Sequence, residues 1–415
     1  MSSSSTSGVD LYSGLVITDN ANNVKYTLLK QRASTSNKRY FYDAADSELT
    51  TLTNVVVTHG MKIVEFSGPN ANGYREDLRA EYETNNYITT IGQSNSDRRV
   101  NHICGEVASC AVGYLELSID GYEHGIIIYK HIRGMNLIYF FNHMAPKLEA
   151  NPLTKRAAYF AFVEFVFKMA IAVCNITHVL HTFGVFHNDI KPDNFVISYD
   201  ESEERRPIPN NFKIYVVDFG MTCAVKVPGS SHFPIPLNTR CLKDNRGFMR
   251  YGGTLRYLDP RATSKGVPNP GLAAIDVEQA DTFSFFEHFE TFSVGKTIAE
   301  YLNEDRYFAS QDDKNVLAFL REMVKEMTGP LRFRKNIKIY EAFLTHALEI
   351  VQLNHMEVFN ESPLSVIDEG YQSFSEAEES DTGSGGRRPF SNNDDDDNDT
   401  NVNNSSRTTV KNKLK

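Results

Sequence analysis

The chain has 415 residues, of which 41% are hydrophobic and 23% charged, and its net charge is −10. This is a globular composition. Residues 361–415, with 12 acidic and six basic side chains, hold most of the excess charge. The near-neutral body argues against nucleic-acid binding by phosphate neutralisation. The N-terminus lacks a basic start followed by an apolar stretch, and no 18 consecutive residues are apolar, so neither a signal peptide nor a membrane-spanning segment is expected. The cysteines, at 104, 110, 174, 223 and 241, show no CxxC spacing. Their odd, scattered set predicts reduced thiols in a cytoplasmic or nuclear setting.

Residues 1–20 read as a flexible N-terminus. VKYTLLKQRA (24–33) and KRYFYDAA (38–45) read as two strands around a polar loop, and NVVVTH (54–59) and MKIVEF (61–66) as two shorter runs. YREDLRAEYETNNYITTIG (74–92) reads as a helix, and GIIIYKHI (125–132) as a further strand. Residues 21–132 are therefore expected to form a small β-rich unit with one main helix. Beyond residue 133 the patterns lengthen. Phe162, Val166, Met169, Val173, Ile176 and Leu180 recur at alternating spacings of four and three, which places them on one helix face. Asn151, Pro152 and Thr154 are start signals and Gly184 is a stop. The fold class is α+β, with 133–358 as a larger, mainly helical unit. Residues 359–415 include SNNDDDDNDTN and GSGG and are expected to be a disordered acidic tail.

The helix centred on residue 170 delivers the chain into HNDIKPDNF (187–195). Phosphoryl transfer needs a group to orient the attacking hydroxyl, metal ions on the phosphates, and cations against developing charge. Asp189 can accept a hydrogen bond from a hydroxyl, Lys191 can reach a phosphoryl group, and Asn194 offers an uncharged oxygen to a metal. IYVVDFG (214–220) is an apolar strand ending in Asp218, a carboxylate placed to hold Mg²⁺.

HNDIKPDN followed by DFG resembles the eukaryotic-type protein kinases, and Lys191-Pro192 is the serine/threonine form of that loop. GGTLRYLDPR (252–261) resembles the end of an activation segment, with Thr254 shaping the substrate site. ADTFSFF (280–286) resembles the start of the central helix of the larger lobe, where Asp281 would hold the catalytic-loop backbone. GIIIYKHIRGMNL (125–137) resembles the inter-lobe hinge, with Tyr129 as gatekeeper and Lys130 to Ile132 against adenine. The likeness spans roughly residues 24–350. YETNNY (82–87) is similar to the casein kinase I branch, and the places where the chain departs from the family pattern resemble those of kinases encoded by large DNA viruses.

The resemblance implies a two-lobed protein-kinase-like fold in a monomer that uses ATP and Mg²⁺ and acts on protein hydroxyls. Asp189 and Lys191 would be catalytic, Asn194 and Asp218 metal ligands, and Lys62, Glu83, Lys130 and Ile132 nucleotide-site residues. For the strand lysine, Lys62 in GMKIVEF is favoured over Lys30. For its helix partner, Glu83 is favoured over Glu81: four residues on, Glu83 leads to Tyr87, whereas Glu81 leads to Asn85, a poor core residue.

Three departures stand out. No glycine occurs between Gly14 and Gly60, so Ala33-Ser34-Thr35-Ser36-Asn37 stands in for a glycine-rich phosphate loop. Arg261 replaces the acid that closes the activation segment. Asn188 replaces an arginine that clamps activation-loop phosphate, which predicts activity without that phosphorylation. The expected function is a MgATP-dependent serine/threonine protein kinase. The alternatives are a pseudokinase binding module and a small-molecule phosphotransferase of the aminoglycoside-kinase type.

Overall fold

The computed structural model describes residues 12–20, 22–35, 39–46, 57–94, 103–150, 155–203, 208–225, 227–228, 253–260, 282–302 and 311–359. All of them belong to one unit, Met1–Tyr371. The architecture mixes sheet and helix, with a β-sheet first and helices later.

Six strands form an antiparallel sheet: β1 (Val16–Asp19), β2 (Val24–Thr35), β3 (Arg39–Asp46), β4 (His59–Glu65), β5 (Ala111–Ile119) and β6 (Tyr122–Lys130). Their order is β1-β2-β3-β4-β6-β5. Alternation along the strands separates two apolar faces. One, carrying Tyr42, Ile63, Ile126 and Ile128, is covered by the segment around Tyr12 and Ile17. The other, carrying Val64 and Ile127, packs Phe66 and Leu78, and Leu78 comes from helix α1 (Ala71–Ser94). The two runs expected at 54–59 and 61–66 appear as the single strand β4 with Gly60 inside it; residues 47–56 lie outside the described set. Sequence reading missed β5 because Gly113 and Glu116 interrupt its pattern. Glu116 instead faces Arg75 and Arg79 of α1.

The helices that follow are the short turn α2 (Ile103–Glu106), α3 (Leu137–Ala150), α4 (Lys155–Thr182), α5 (Thr282–Leu302), α6 (Gln311–Thr328) and α7 (Ile337–Phe359). The six α4 residues on the predicted face are all buried, and Gly184, at a positive φ of 69°, stands just past the helix end. Phe160–Thr182 has a mean hydropathy of 1.7 and by length and composition alone could cross a membrane. Yet 67% of it is buried inside the fold, where it packs between α5 and α7, and a helix apolar on most sides is what a core position requires.

Five short strands frame the loop that follows α4. They are β7 (Met135–Asn136), β8 (Val185–Phe186), β9 (Phe195–Ser198), β10 (Lys213–Val216) and β11 (Cys223–Ala224). β10-β9-β7 form one sheet and β11-β8 another, so residues 187–194 are pinned at both ends.

The expectation of reduced thiols is overturned. Cys104 and Cys110 form a disulfide, and Cys223 is disulfide-bonded too; among the described cysteines only Cys174 is free. The α2 turn folds the chain back so that Cys104 bridges to Ala108, bringing the two Cα atoms to 5.3 Å, a separation that bonding needs. A loop this short contributes about 2 kcal/mol by chain-entropy arguments. The double variant Cys104→Ala/Cys110→Ala is expected to lose that amount in urea unfolding.

Candidate active site

Asp189 is the most heavily bonded side chain of the loop. Its Oδ1 accepts from the Thr254 amide and hydroxyl, both at 2.7 Å. Its Oδ2 accepts from Lys191 Nζ at 2.7 Å and Asn194 Nδ2 at 3.0 Å. Lys191 also donates to the Thr254 hydroxyl at 2.7 Å. Burial opposes ionisation of Asp189, but the Lys191 and Thr254 hydrogen bonds outweigh it and hold its carboxyl below the usual range. Asn194 spends its Nδ2 on the carbonyl and carboxylate of Asp189, which leaves Oδ1 as the atom able to meet a cation.

Thr254 can come this close because Gly253, at φ +140°, passes directly over the Asn188 carbonyl. A Cβ on Gly253 would sit 2.3 Å from that oxygen.

The loop backbone is strained at Asn188, which has φ +61° and is almost fully buried. Its side-chain amide donates to the Met221 carbonyl, so this residue is an internal tie. Its N–H donates to Glu290 Oε1 at 2.5 Å, and Glu290 also meets His181 Nε2 at 2.6 Å. Asp281, expected to hold this backbone, lies outside the described residues; Glu290, nine residues further on, holds it. The signal was present as a carboxylate inside the apolar run FFEHFETFSVG, where burial is costly without a partner.

Asp218 follows β10 and has a φ of +64°. The next residue, Phe219, is fully buried beside His187, with ring centroids 5.2 Å apart. Lys62 Nζ donates to Asp218 Oδ1 at 2.9 Å and to both oxygens of Glu81, at 2.8 and 2.7 Å. The Asp218 side chain keeps 41% of its surface exposed, so burial disfavours its carboxylate only in part, and the Lys62 ammonium overrides this and lowers the carboxyl to about 2. Burial also works against the Lys62 charge, and Glu81 and Asp218 reverse this, so its ammonium is held above the usual range. Tyr129 completes the cluster by donating to Glu81 Oε1 at 2.8 Å.

No family model and no curated protein matches the chain.

The structure thus bonds Lys62 to Asp218, and Asp189 to Lys191, Asn194 and Thr254, and the two groups adjoin where the Val217 N–H donates to the Asn194 carbonyl at 2.9 Å. It does not bring in Glu83, which is exposed, and the carboxylate that meets Lys62 is Glu81. Asn85, four residues beyond Glu81, is the reason the helix face differs from the expectation. That residue is fully buried, and it is satisfied there: its Nδ2 donates to the Glu81 carbonyl and its Oδ1 accepts from the Ala111 amide. Lys130 is exposed, and Ile132 is half-buried beyond the end of β6. Of the stand-in phosphate loop, residues 36 and 37 lie outside the described set. The Asn85→Leu variant would leave the Ala111 N–H unpaired in the interior. It is expected to cost about 1–3 kcal/mol in thermal or urea unfolding.

Arg261 also lies outside the described residues. An acid–base pair nevertheless secures this end of the segment: Asp259 Oδ2 meets Arg334 Nη1 at 2.7 Å, with both side chains fully buried.

Proposed function

We propose that this chain is a MgATP-dependent protein kinase acting on serine or threonine hydroxyls, built as two lobes with the cleft between them. The observation that carries the reading is the convergence of two groups from distant parts of the chain. Lys62–Glu81 meets Asp218, and Asp189–Lys191–Asn194 meets Thr254. Protein kinases require such a lysine–glutamate pair together with the metal-binding aspartate.

In this reading Asp189 orients the attacking hydroxyl and accepts its proton. Its lowered pKa keeps it ionised at neutral pH and makes it chiefly an orienting group. Lys191, held between Asp189 and Thr254, neutralises charge on the transferring group. Lys62, fixed by Glu81, holds the phosphates. Among the described residues no cluster of three or more His, Cys, Asp or Glu side chains could enclose a metal. The donors present, the Asp218 carboxylate and the Asn194 amide oxygen, fit Mg²⁺, which is commonly held by one or two carboxylates plus substrate phosphates. Bound there, Mg²⁺ would neutralise phosphate charge.

The presence of all four groups nearest the transferring phosphoryl favours catalysis over a binding module. The expected result is new phosphoserine or phosphothreonine on a generic protein substrate after MgATP incubation, mapped by mass spectrometry. Phosphate on a small metabolite and never on protein would instead identify a small-molecule phosphotransferase.

A further inference from the structure

We infer that Arg32, held over the cleft by Asp43, stacks on the base of the bound nucleotide. The inference rests on the kinase reading and adds a base-contacting residue to it.

Cross-strand register fixes where this pair lies. Asp43 on β3 opposes Gly60 on β4, and Gly60 opposes Tyr129 on β6. Directly opposed residues share a face. Tyr129 and Lys62 both reach Glu81, so this is the face that carries the catalytic lysine. Lys62 is two residues beyond Gly60, about 7 Å along the strand. Asp43 therefore lies on the cleft side, displaced from the phosphate-holding lysine towards the end where β6 runs into residues 130–132. That is the base end in the proposed reading.

Two features make this place unusual. Gly60 presents no side chain, and a Cβ there would meet nothing within 4 Å, so an open gap separates Asp43 from Tyr129. Across the gap stands a charged pair, with Arg32 Nε on Asp43 Oδ2 at 2.6 Å. Arg32 is also the extra residue of a β-bulge: Gln31 pairs with Tyr42 and Ala33 with Phe41, and Arg32 has no opposite number. Bulges re-aim side chains and gather near functional sites.

The Asp43 side chain is only 10% exposed, whereas 56% of the Arg32 side chain remains open to solvent. The carboxylate is thus an anchor, and the planar guanidinium is the part presented to a ligand. His131, at the end of β6, feels the same group. Burial lowers its pKa, Asp43 opposes that, and Arg32 and Arg133 add to it. A guanidinium fixed through Nε offers its flat face, and an aromatic base is the ligand chemistry that a flat cation recognises.

The test is isothermal titration of the full chain with MgATP and, as a ligand without a base, with magnesium tripolyphosphate. Arg32→Ala is expected to weaken MgATP binding about three- to tenfold and leave tripolyphosphate binding unchanged. Because that variant strands the Asp43 carboxylate, Arg32→Ala/Asp43→Asn serves as the second reading and is expected to show the same selective loss. Unchanged MgATP affinity in the double variant overturns the inference, as does an equal loss for both ligands, which would place Arg32 on the phosphates. If the wild-type chain binds tripolyphosphate but gains nothing from the base, the inference alone fails. If it binds neither, the kinase reading fails and takes this one with it.

Discussion

On the proposed kinase reading, Asp218→Asn is expected to abolish MgATP-dependent phosphoryl transfer while the chain stays folded. The substitution removes the partly exposed carboxylate that meets Lys62, yet Lys62 keeps both hydrogen bonds to Glu81. Activity and stability should therefore separate. Radiolabel transfer to protein should fall to background, and the urea midpoint at neutral pH should move little, because the Asp218 side chain is 41% exposed and solvent screens its pairing.

The pH dependence gives a second check. A carboxyl lowered to about 2 in the folded chain, against about 3.9 unfolded, stabilises the fold above pH ~4 and loses that contribution as pH falls towards 2. The small stability gap between wild type and variant should close over that window. Asp189→Asn complements the test. It keeps the size of the side chain but sets an NH₂ group against donors from Thr254, Lys191 or Asn194. Turnover should drop by about 10²–10⁴-fold. Residual transfer equal in wild type and Asp218→Asn would show that the cleft does not do this chemistry.

Groups brought together by a short stretch of chain were legible in the sequence as neighbours. Asp189, Lys191 and Asn194 sit within six positions of one another, and the structure bonds all three to each other, whereas the roles proposed for them come from the protein-kinase resemblance. The face of α4 was legible for the same reason, since helical period is local. Residues defined by a distant partner were not. Glu81 and Glu83 differ by two positions on one helix, and the choice turned on Asn85. That residue looks wrong for a core until the Ala111 amide, 26 positions away, is seen to bond it. Glu290 was passed over because its partners, His181 and the Asn188 N–H, lie more than 100 residues earlier. The disulfide escaped because a spacing of six depends on the turn between its cysteines, which composition does not encode.

Breaking the Asp259–Arg334 pair is expected to be the most damaging single change to the fold. Both side chains are fully buried. Arg334 also donates to the carbonyls of Gly329 and His288 and lies over the Phe292 ring at 5.1 Å, so one guanidinium ties the end of the Thr254–Pro260 segment to α5 and to the α6–α7 connection. Removing one partner strands the other charge in the interior, which typically costs about 3–5 kcal/mol. Arg334→Met should approach that figure, and Asp259→Leu should fall in the same range. Removing both partners at once strands no charge, so Asp259→Leu/Arg334→Met should destabilise by less than the sum of the two single changes. The double variant should still lose phosphoryl transfer more than its melting point suggests. The pair positions the segment that carries Thr254, and Thr254 bonds both Asp189 and Lys191. Strict additivity in urea unfolding, with activity intact, would mean that the pair neither stabilises the interior jointly nor positions Thr254.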